Sequence, residues 1–327
     1  MKNENKKNTN DRWRANSYTK LIYFYSKDTD LKVKTSIDLI VLSCEESEFT
    51  LLDEEFKKYY RIKTDHELKK GNFKRKRVYS NSAGKVDILY QSKEYFIRPM
   101  FLFYLHQPSR SVMCQLHSAF KKLGIYPLVK KIELAWDFYL INVWGFQRVV
   151  EQHLFLKHRR SPSLKYKDTF YTNDLRKSVK GIRVYPRPKD SDYKDFVRLE
   201  LEIHRPKIKK LGIDFPIQAH HLDLDFRNYF EFRMFDLKKL YNYFVRDSGN
   251  RRKIAEMNRR RAGMGQLVLR HIEEWIRNLT KMPLMQAVEE LKSLDFGIPN
   301  YSRFLVPMGQ LNLLIQDAAD TQGFGIR

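Results

Sequence analysis

The sequence has 327 residues, 42% of them hydrophobic, which is enough for one large or two modest domains with a substantial core. Its 62 Lys and Arg against 39 Asp and Glu give a net charge of +23, which favours a polyanionic partner: nucleic acid first, an anionic membrane surface second. No apolar run approaches the roughly 20 residues that span a bilayer. The two cysteines lack metal spacing and are too few for a disulfide framework. With no apolar signal core at the amino terminus, these features predict a cytoplasmic protein without a membrane segment.

The amino-terminal part is predicted to begin with a tail and then to supply strands to a sheet. Residues 1–20 are rich in Asn and Lys without hydrophobic periodicity, so a flexible basic tail is expected. Apolar runs at residues 37–42, 86–90 and 95–104 predict strands. Residues 47–58 are expected to form a short helix or loop.

Residues 57–77 are the first candidate surface for nucleic acid. They hold ten Lys and Arg against Asp65 and Glu67, interleaved with aromatic side chains. Such a mixture suits phosphate contact and base stacking, although a solvated charge run on a loop or hairpin would look the same. The predicted DNA-binding residues here are Lys69, Lys70, Lys74, Arg75, Lys76 and Arg77.

A strand bearing two acids is predicted between two helices. Residues 110–123 and 144–156 show helical spacing of apolar side chains. Between them, residues 129–140 alternate as a strand, with Glu133 and Asp137 on the face opposite its apolar side chains. Because acids are depleted in strands, these two are candidate site residues.

Residues 180–205 predict a β-hairpin that carries the richest set of polar side chains. Its first strand places Arg183, Tyr185 and Arg187 on one face. Its second strand has a polar face with two acids flanked by two basic side chains: Arg198, Glu200, Glu202 and His204. If the hairpin adjoins the earlier acid-bearing strand, four acids converge on one exposed sheet face, as a divalent-metal or acid–base site requires. The alternative is that they are ordinary solvent-side residues of antiparallel strands.

The pattern changes after residue 205. A short helix is predicted over residues 206–211, one more strand within residues 223–235, and helices thereafter. Residues 246–261 hold seven basic residues against two acids, so this junction is either a helix lying on a phosphate backbone or a solvated helix face. The predicted DNA-binding residues here are Arg251, Arg252, Arg259, Arg260 and Arg261.

The order of elements predicts an α+β fold with a mainly antiparallel sheet and helices on one face. Three segments are expected: a basic tail over residues 1–20, the α+β catalytic and DNA-binding domain over residues 21–235, and a helical carboxy-terminal domain over residues 236–327.

Three motifs carry a family resemblance: IELAWDF at residues 132–138, IRVYPRPKD at 182–190 and VRLELEIHR at 197–205. Together they resemble the replication initiation factor family, the rolling-circle initiators of plasmids and filamentous phages, which are distantly related to HUH endonucleases. The resemblance implies a palm-like fold whose open sheet face holds the acids and a tyrosine.

The resemblance also implies a reaction. Tyr185 would be the nucleophile that nicks single-stranded or hairpin origin DNA and leaves a 5′-phosphotyrosyl enzyme, with Arg183 and Arg187 beside it; Tyr171 and Tyr193 are the nearest substitutes. Mg²⁺ or Mn²⁺, which suit an all-oxygen site, would be held by Glu133, Asp137, Glu200 and Glu202. A host replication helicase or polymerase is a candidate further partner.

Two other functions fit the same residues. One is a non-catalytic DNA- or RNA-binding protein that uses the basic and aromatic surface and keeps its acids for structure. The other is an accessory protein of a phage or plasmid that recognises an origin and recruits host machinery.

Overall fold

The structure, a computed structural model, describes residues 32–68, 72–92, 96, 98–139, 143–156, 164–171, 180–187, 196–217, 222, 225–246, 249, 252, 268–293 and 301–322. The predicted tail of residues 1–20 lies outside this part of the chain. The strands of the described residues are β1 (Lys32–Glu45), β2 (Arg61–Glu67), β3 (Phe73–Asn81), β4 (Gly84–Gln91), β5 (Met100–His106), β6 (Leu128–Tyr139), β7 (Leu154–Leu156), β8 (Leu164–Tyr166), β9 (Thr169–Tyr171), β10 (Lys180–Arg187), β11 (Phe196–His204), β12 (Phe230–Phe235) and β13 (Leu305–Pro307). The α-helices are α1 (Phe49–Lys57), α2 (Arg110–Leu123), α3 (Val143–His153), α4 (Arg205–Lys210), α5 (Leu237–Tyr241), α6 (Val268–Leu279), α7 (Leu284–Ser293) and α8 (Gly309–Gln322).

Ten of these strands form one sheet in the order β2-β3-β4-β5-β1-β6-β11-β10-β9-β8. Every pairing in it is antiparallel. A smaller sheet has the order β13-β12-β7. The predicted α+β class with a mainly antiparallel sheet is therefore confirmed.

Helices cover one face of the large sheet because that face is apolar. Phe146 of α3 packs 5.1 Å from Phe138 of β6, and Phe120 of α2 lies 5.7 Å from Phe103 of β5, measured between ring centroids. Trp136 of β6 is fully buried on the same face. This burial supplies the main driving force for the layer, at about 25 cal/mol per Å² of apolar surface.

Both ends of α2 are formed by residues of the types that favour helix ends. Ser109 caps the helix by accepting a hydrogen bond from the Val112 backbone N–H. Gly124 follows the last turn with φ 66°, a left-handed conformation that glycine adopts without steric cost. The predicted helix over residues 110–123 is therefore confirmed at both ends.

The predicted carboxy-terminal region divides between two hydrophobic clusters. Its helices α5, α6 and α7 contribute to a separate cluster that includes Phe244, Ile276 and Leu291. Helix α8 instead joins the main core, where the Thr35 hydroxyl of β1 donates to the Ala318 carbonyl at 3.3 Å. Among the described residues, no helix combines the length and apolarity that a membrane crossing demands.

Candidate active site

The two acid-bearing strands are neighbours, which is the arrangement that a shared site requires. Strand β6 lies between β1 and β11. Glu133 pairs with Glu202 across β6 and β11, and Asp137 pairs with Arg198. The four predicted acids therefore share the sheet face opposite the helices.

Strand β10 brings the predicted tyrosine to the same face. Arg183 lies opposite Glu200 of β11, and Tyr185 lies opposite Arg198. The Tyr185 hydroxyl donates a hydrogen bond to Glu200 Oε1. The side chain of Arg187 lies outside the described part of the structure.

The expectation of an exposed face is wrong. Glu133, Asp137 and Glu200 are 4%, 1% and 1% exposed, and Tyr185 is half-buried rather than exposed. The physical reason is that long charged side chains on adjacent strands pair with one another and cover each other's head groups. The acids therefore form a buried ionic layer on the face that lacks the packed helices described above.

Arg198 organises one side of this layer. It binds Asp137 through two parallel bonds, Nε to Oδ1 at 2.6 Å and Nη2 to Oδ2 at 2.7 Å, and its Nη1 donates to Asp38 Oδ1. Burial alone would lower the pKa of this 1%-exposed guanidinium, but the bonds to Asp137 outweigh it and raise the pKa above its ordinary value. Both oxygens of Asp137, a predicted metal ligand, are thus engaged by a guanidinium.

Lys131 and His204 occupy the other side of the layer. Lys131 Nζ lies 2.6 Å from Glu133 Oε1 and 3.1 Å from Glu202 Oε1. His204 Nε2 lies 2.5 Å from Glu202 Oε1. Burial acts to raise the pKa of Glu202, but His204 and Lys131 outweigh it and lower the pKa. Glu202, also a predicted metal ligand, is held by these two side chains.

The acid group best placed for a cation differs from the predicted one. Asp38, Glu133 and Glu200 each offer one carboxylate oxygen, and these oxygens all lie within 4.8 Å of one another. Two of the three were predicted, whereas Asp38 was not. An aspartate inside an apolar strand is itself a signal, because Asp is depleted in strands.

A local irregularity aims Asp38 at this group. The pairing of β1 with β6 shifts register between Ile37 and Leu39, so Asp38 is the extra residue of a β-bulge. Gln107 holds it from the end of β5, where the Gln107 backbone N–H donates to the Asp38 carbonyl at 2.7 Å and its side-chain Nε2 donates to Oδ1 at 2.9 Å. Gln107 has φ 42°, a strained conformation for a residue with a side chain.

Glu200 is the electrostatic centre of the face. Arg183 Nη2 lies 2.6 Å from Glu133 Oε2 and 2.7 Å from Glu200 Oε2, yet Glu200 Oε2 accepts no aligned hydrogen bond from the described residues. Burial raises the pKa of Glu200 to about 7, against the opposing effects of Arg183 and the Tyr185 hydroxyl. Glu200 is therefore poised to take up a proton near neutral pH.

The ionic layer carries an excess of negative charge. The ion pairs of this layer join five carboxylates to three permanent cations, so this group of side chains has a net charge of −2 when all are ionised and His204 is neutral. Lys34 lies on the same face opposite Asp137, but it is exposed and outside these pairs. The carboxylates are Asp38, Glu133, Asp137, Glu200 and Glu202, and the cations are Lys131, Arg183 and Arg198. A buried excess of this kind is relieved by a bound proton or a divalent cation.

Four predicted DNA-binding residues of the first segment, Lys74, Arg75, Lys76 and Arg77, lie in β3 of the edge hairpin. Arg75 binds Asp65 at 2.6 Å, and Arg77 is buried between Asp65 and Asp53. Lys74 and Lys76 also pair with acids, Glu46 at 3.3 Å and Asp87 at 2.9 Å.

The other predicted DNA-binding residues are mostly beyond the described ranges. Arg252 is described and exposed. The rest lie outside the described residues: Lys69, Lys70, Arg251, Arg259, Arg260 and Arg261.

No protein-family model and no curated protein matches this chain.

Proposed function

We propose that the protein is a metal-dependent DNA endonuclease and strand transferase of the rolling-circle initiator type, acting on single-stranded origin DNA in the cytoplasm. The observation that carries the proposal is the Tyr185 hydroxyl donating to Glu200 beside the half-buried guanidinium of Arg183 and the buried guanidinium of Arg198. The resemblance of its strand motifs to the replication initiation factor family supports the same reaction. The net charge of +23 supports a DNA partner.

Tyr185 and Glu200 supply the nucleophile and its proton acceptor. A free tyrosine has a pKa of about 10, so its hydroxyl needs a base near neutral pH. Glu200 Oε1 accepts the proton as the Tyr185 oxygen bonds to the phosphorus. The bond from phosphorus to the 3′ oxygen breaks, and that oxygen takes a proton to become a 3′-hydroxyl. The products are a 5′-phosphotyrosyl enzyme and a primer end for synthesis.

The guanidinium groups of Arg183 and Arg198 stabilise the negative charge that develops in this step. Arg198 lies opposite Tyr185, and Arg183 lies opposite Glu200. Guanidinium groups bind phosphate oxygens through paired hydrogen bonds. Arg183 is the more accessible of the two, with 26% of its side chain exposed against 1% for Arg198.

The donor set fits Mg²⁺ or Mn²⁺. Asp38, Glu133 and Glu200 offer only oxygen ligands, the type that these cations prefer. The excess negative charge of the face and the unaligned Glu200 Oε2 also fit a bound cation. A metal held there would supply positive charge to the oxygens of the scissile phosphate.

Covalent trapping tests the proposal. The purified protein is incubated with a library of single-stranded oligonucleotides and Mn²⁺, and the adduct is mapped by mass spectrometry. Wild type should form a detergent-stable adduct at Tyr185, and Tyr185→Phe should form none. The matched control is Tyr171→Phe, because Tyr171 also faces Arg183 across paired strands. An adduct that persists in Tyr185→Phe contradicts the assignment.

A second candidate function is a non-catalytic DNA- or RNA-binding protein. It is favoured by the full engagement of Asp137 with Arg198 and of Glu202 with Lys131, since such pairs also serve structure. Salt-sensitive retention of oligonucleotides, with no adduct and no nicking of supercoiled plasmid in any divalent metal, would select this candidate.

A further inference from the structure

One end of the large sheet carries a second basic surface that the sequence patterns did not single out. It is formed by the end of α2, the turn that leads into β6, and the segment from α4 to residue 217. Residues 117–130 contain three lysines and no acid, and residues 205–217 contain one arginine and three lysines against Asp214 alone. Six of these seven cations define what we name the α4 surface: Lys121, Lys130, Arg205, Lys207, Lys209 and Lys210.

Side-chain contacts join these segments into one surface. The Phe215 ring packs 5.5 Å from Phe120 and 6.2 Å from His117 of α2, measured between ring centroids. Lys121 follows His117 by four residues and therefore lies on the same side of the helix. From the other segment, Arg205 Nη1 donates to the Val129 carbonyl at 3.4 Å.

The cations of the α4 surface differ from those of the β2–β3 hairpin because no acid of the described residues pairs with them. Within the described ranges, none of the six lies within 4.0 Å of a carboxylate oxygen, whereas Arg75 and Arg77 are both paired. Lys209 and Lys210 are exposed, and Lys207 lies over the Tyr229 ring at 5.3 Å. Their charge is therefore available to an external anion.

An aromatic side chain stands beside this charge. Tyr126, in the turn between α2 and β6, is 88% exposed, and the nearby Leu128 is 41% exposed. A solvated aromatic ring has little to gain in folding, but it offers a stacking platform to an unpaired base. The combination suits a single-stranded nucleic acid better than an anionic ligand without bases.

We propose that the α4 surface binds a single-stranded segment of nucleic acid, with its lysines on phosphates and Tyr126 on a base. The inference rests on the proposed function for its partner. Strand β11 runs from Glu200 directly into Arg205, a distance of about 17 Å at roughly 3.3 Å per residue. That distance equals about five nucleotides of a stacked strand at roughly 3.4 Å each, so a strand that passes around this end of the sheet can contact both the candidate active site and this surface.

Salt-dependent binding tests the proposal. Anisotropy of a labelled single-stranded oligonucleotide is measured between low and high salt in the Tyr185→Phe background, where cleavage does not contribute. Replacing Lys207, Lys209 and Lys210 together with serine should lower the salt slope by about two units, at roughly 0.7 per lost phosphate contact. The control replaces Lys238, Lys281 and Lys292, which are exposed outside this surface and remove the same charge. Equal losses in both triple variants would overturn the proposal.

Two further results decide the partner. Tyr126→Ser should weaken binding of the single strand about tenfold and leave binding of a duplex unchanged; equal effects on both would overturn the stacking assignment. A second test uses vesicles of anionic phospholipid. If only the α4 triple variant loses vesicle binding while its oligonucleotide binding stays intact, the nucleic-acid assignment is overturned.

If the triple variant does not fold, the double variant Lys209→Ser with Lys210→Ser replaces it, since both side chains are exposed. An adduct that persists in Tyr185→Phe would contradict the nucleophile and leave this surface standing.

Discussion

The large sheet holds two ionic networks, and they differ in balance and depth. Around the β2–β3 hairpin, six cations pair with four acids, and Lys74 and Arg75 are each 43% exposed. In the buried ion pairs of β1, β6, β10 and β11, five carboxylates pair with three permanent cations, and Arg198 is 1% exposed. Exposed pairs contribute little to stability, whereas buried charges are costly unless fully paired. Every acid of the hairpin network, including the buried Asp87, is covered by cations, whereas the second network buries an excess of carboxylates, so a function should be sought there.

Removing a guanidinium from the buried network should have the largest effect. Arg198→Met leaves Asp137 and Asp38 without their shared partner, so the free energy of unfolding should fall by about 3–5 kcal/mol. Urea unfolding followed by circular dichroism measures this. A loss below about 1 kcal/mol would show that the buried network contributes as little to stability as exposed ion pairs do.

The pH dependence of stability should expose the cost of charging Glu200. Its folded-state pKa of about 7 exceeds the ordinary 4.5, so the folded protein binds more protons and the free energy of unfolding falls as pH rises between these values. The loss is up to about 3 kcal/mol. In the presence of a chelator, Glu200→Gln should match wild type at pH 5 and be more stable at pH 8. A variant less stable at pH 8 would show that Arg183 makes the charged form net favourable.

Addition of metal should stabilise the folded protein through the acids of the buried network and not through acids elsewhere. At Mn²⁺ about tenfold above its dissociation constant, the free energy of unfolding of wild type should rise by about 1.4 kcal/mol. Asp38→Asn should lose this gain, because Asp38 belongs to the acid group that lies within 4.8 Å. Asp214→Asn, an exposed acid outside the group, is the control and should keep it. A gain retained in Asp38→Asn would place the cation elsewhere.

The smallest effect is expected in the hairpin. Arg75→Met removes an exposed pair while Asp65 keeps Arg77, so the free energy of unfolding should change by less than about 1 kcal/mol. The same urea titration measures it. If Arg75→Met lowers the free energy of unfolding as much as Arg198→Met does, the two networks do not differ in their contribution to stability.

Alternation along the strands was enough to predict which side chains share a face. A strand has a period of two, so Glu133 with Asp137 and Arg183 with Tyr185 follow directly from spacing. The sequence alone left open whether β6 and β11 are neighbours, and the structure pairs them. The α+β class followed from the same patterns.

The remaining parts of the site depend on long-range geometry. The place of Asp38 in the acid group was not predicted, because a bulge changes which face of β1 its side chain lies on. Nothing local in the sequence marks where a partner strand will skip a residue. Gln107 is 69 residues away from the aspartate that it holds. The burial of the acids depends on cross-strand pairing of long side chains, which composition does not reveal.

The contact between α8 and β1 has a consequence for the order of folding. Thr35 and Ala318 are 283 residues apart, yet β1 is a central strand of the large sheet. During synthesis, the apolar side of that strand therefore lacks its last cover until residues 309–322 have emerged from the ribosome. Contacts of such high sequence separation slow folding and prolong the exposure of apolar surface. The nascent chain should therefore depend on chaperones more than a protein whose central strand is covered by neighbouring residues.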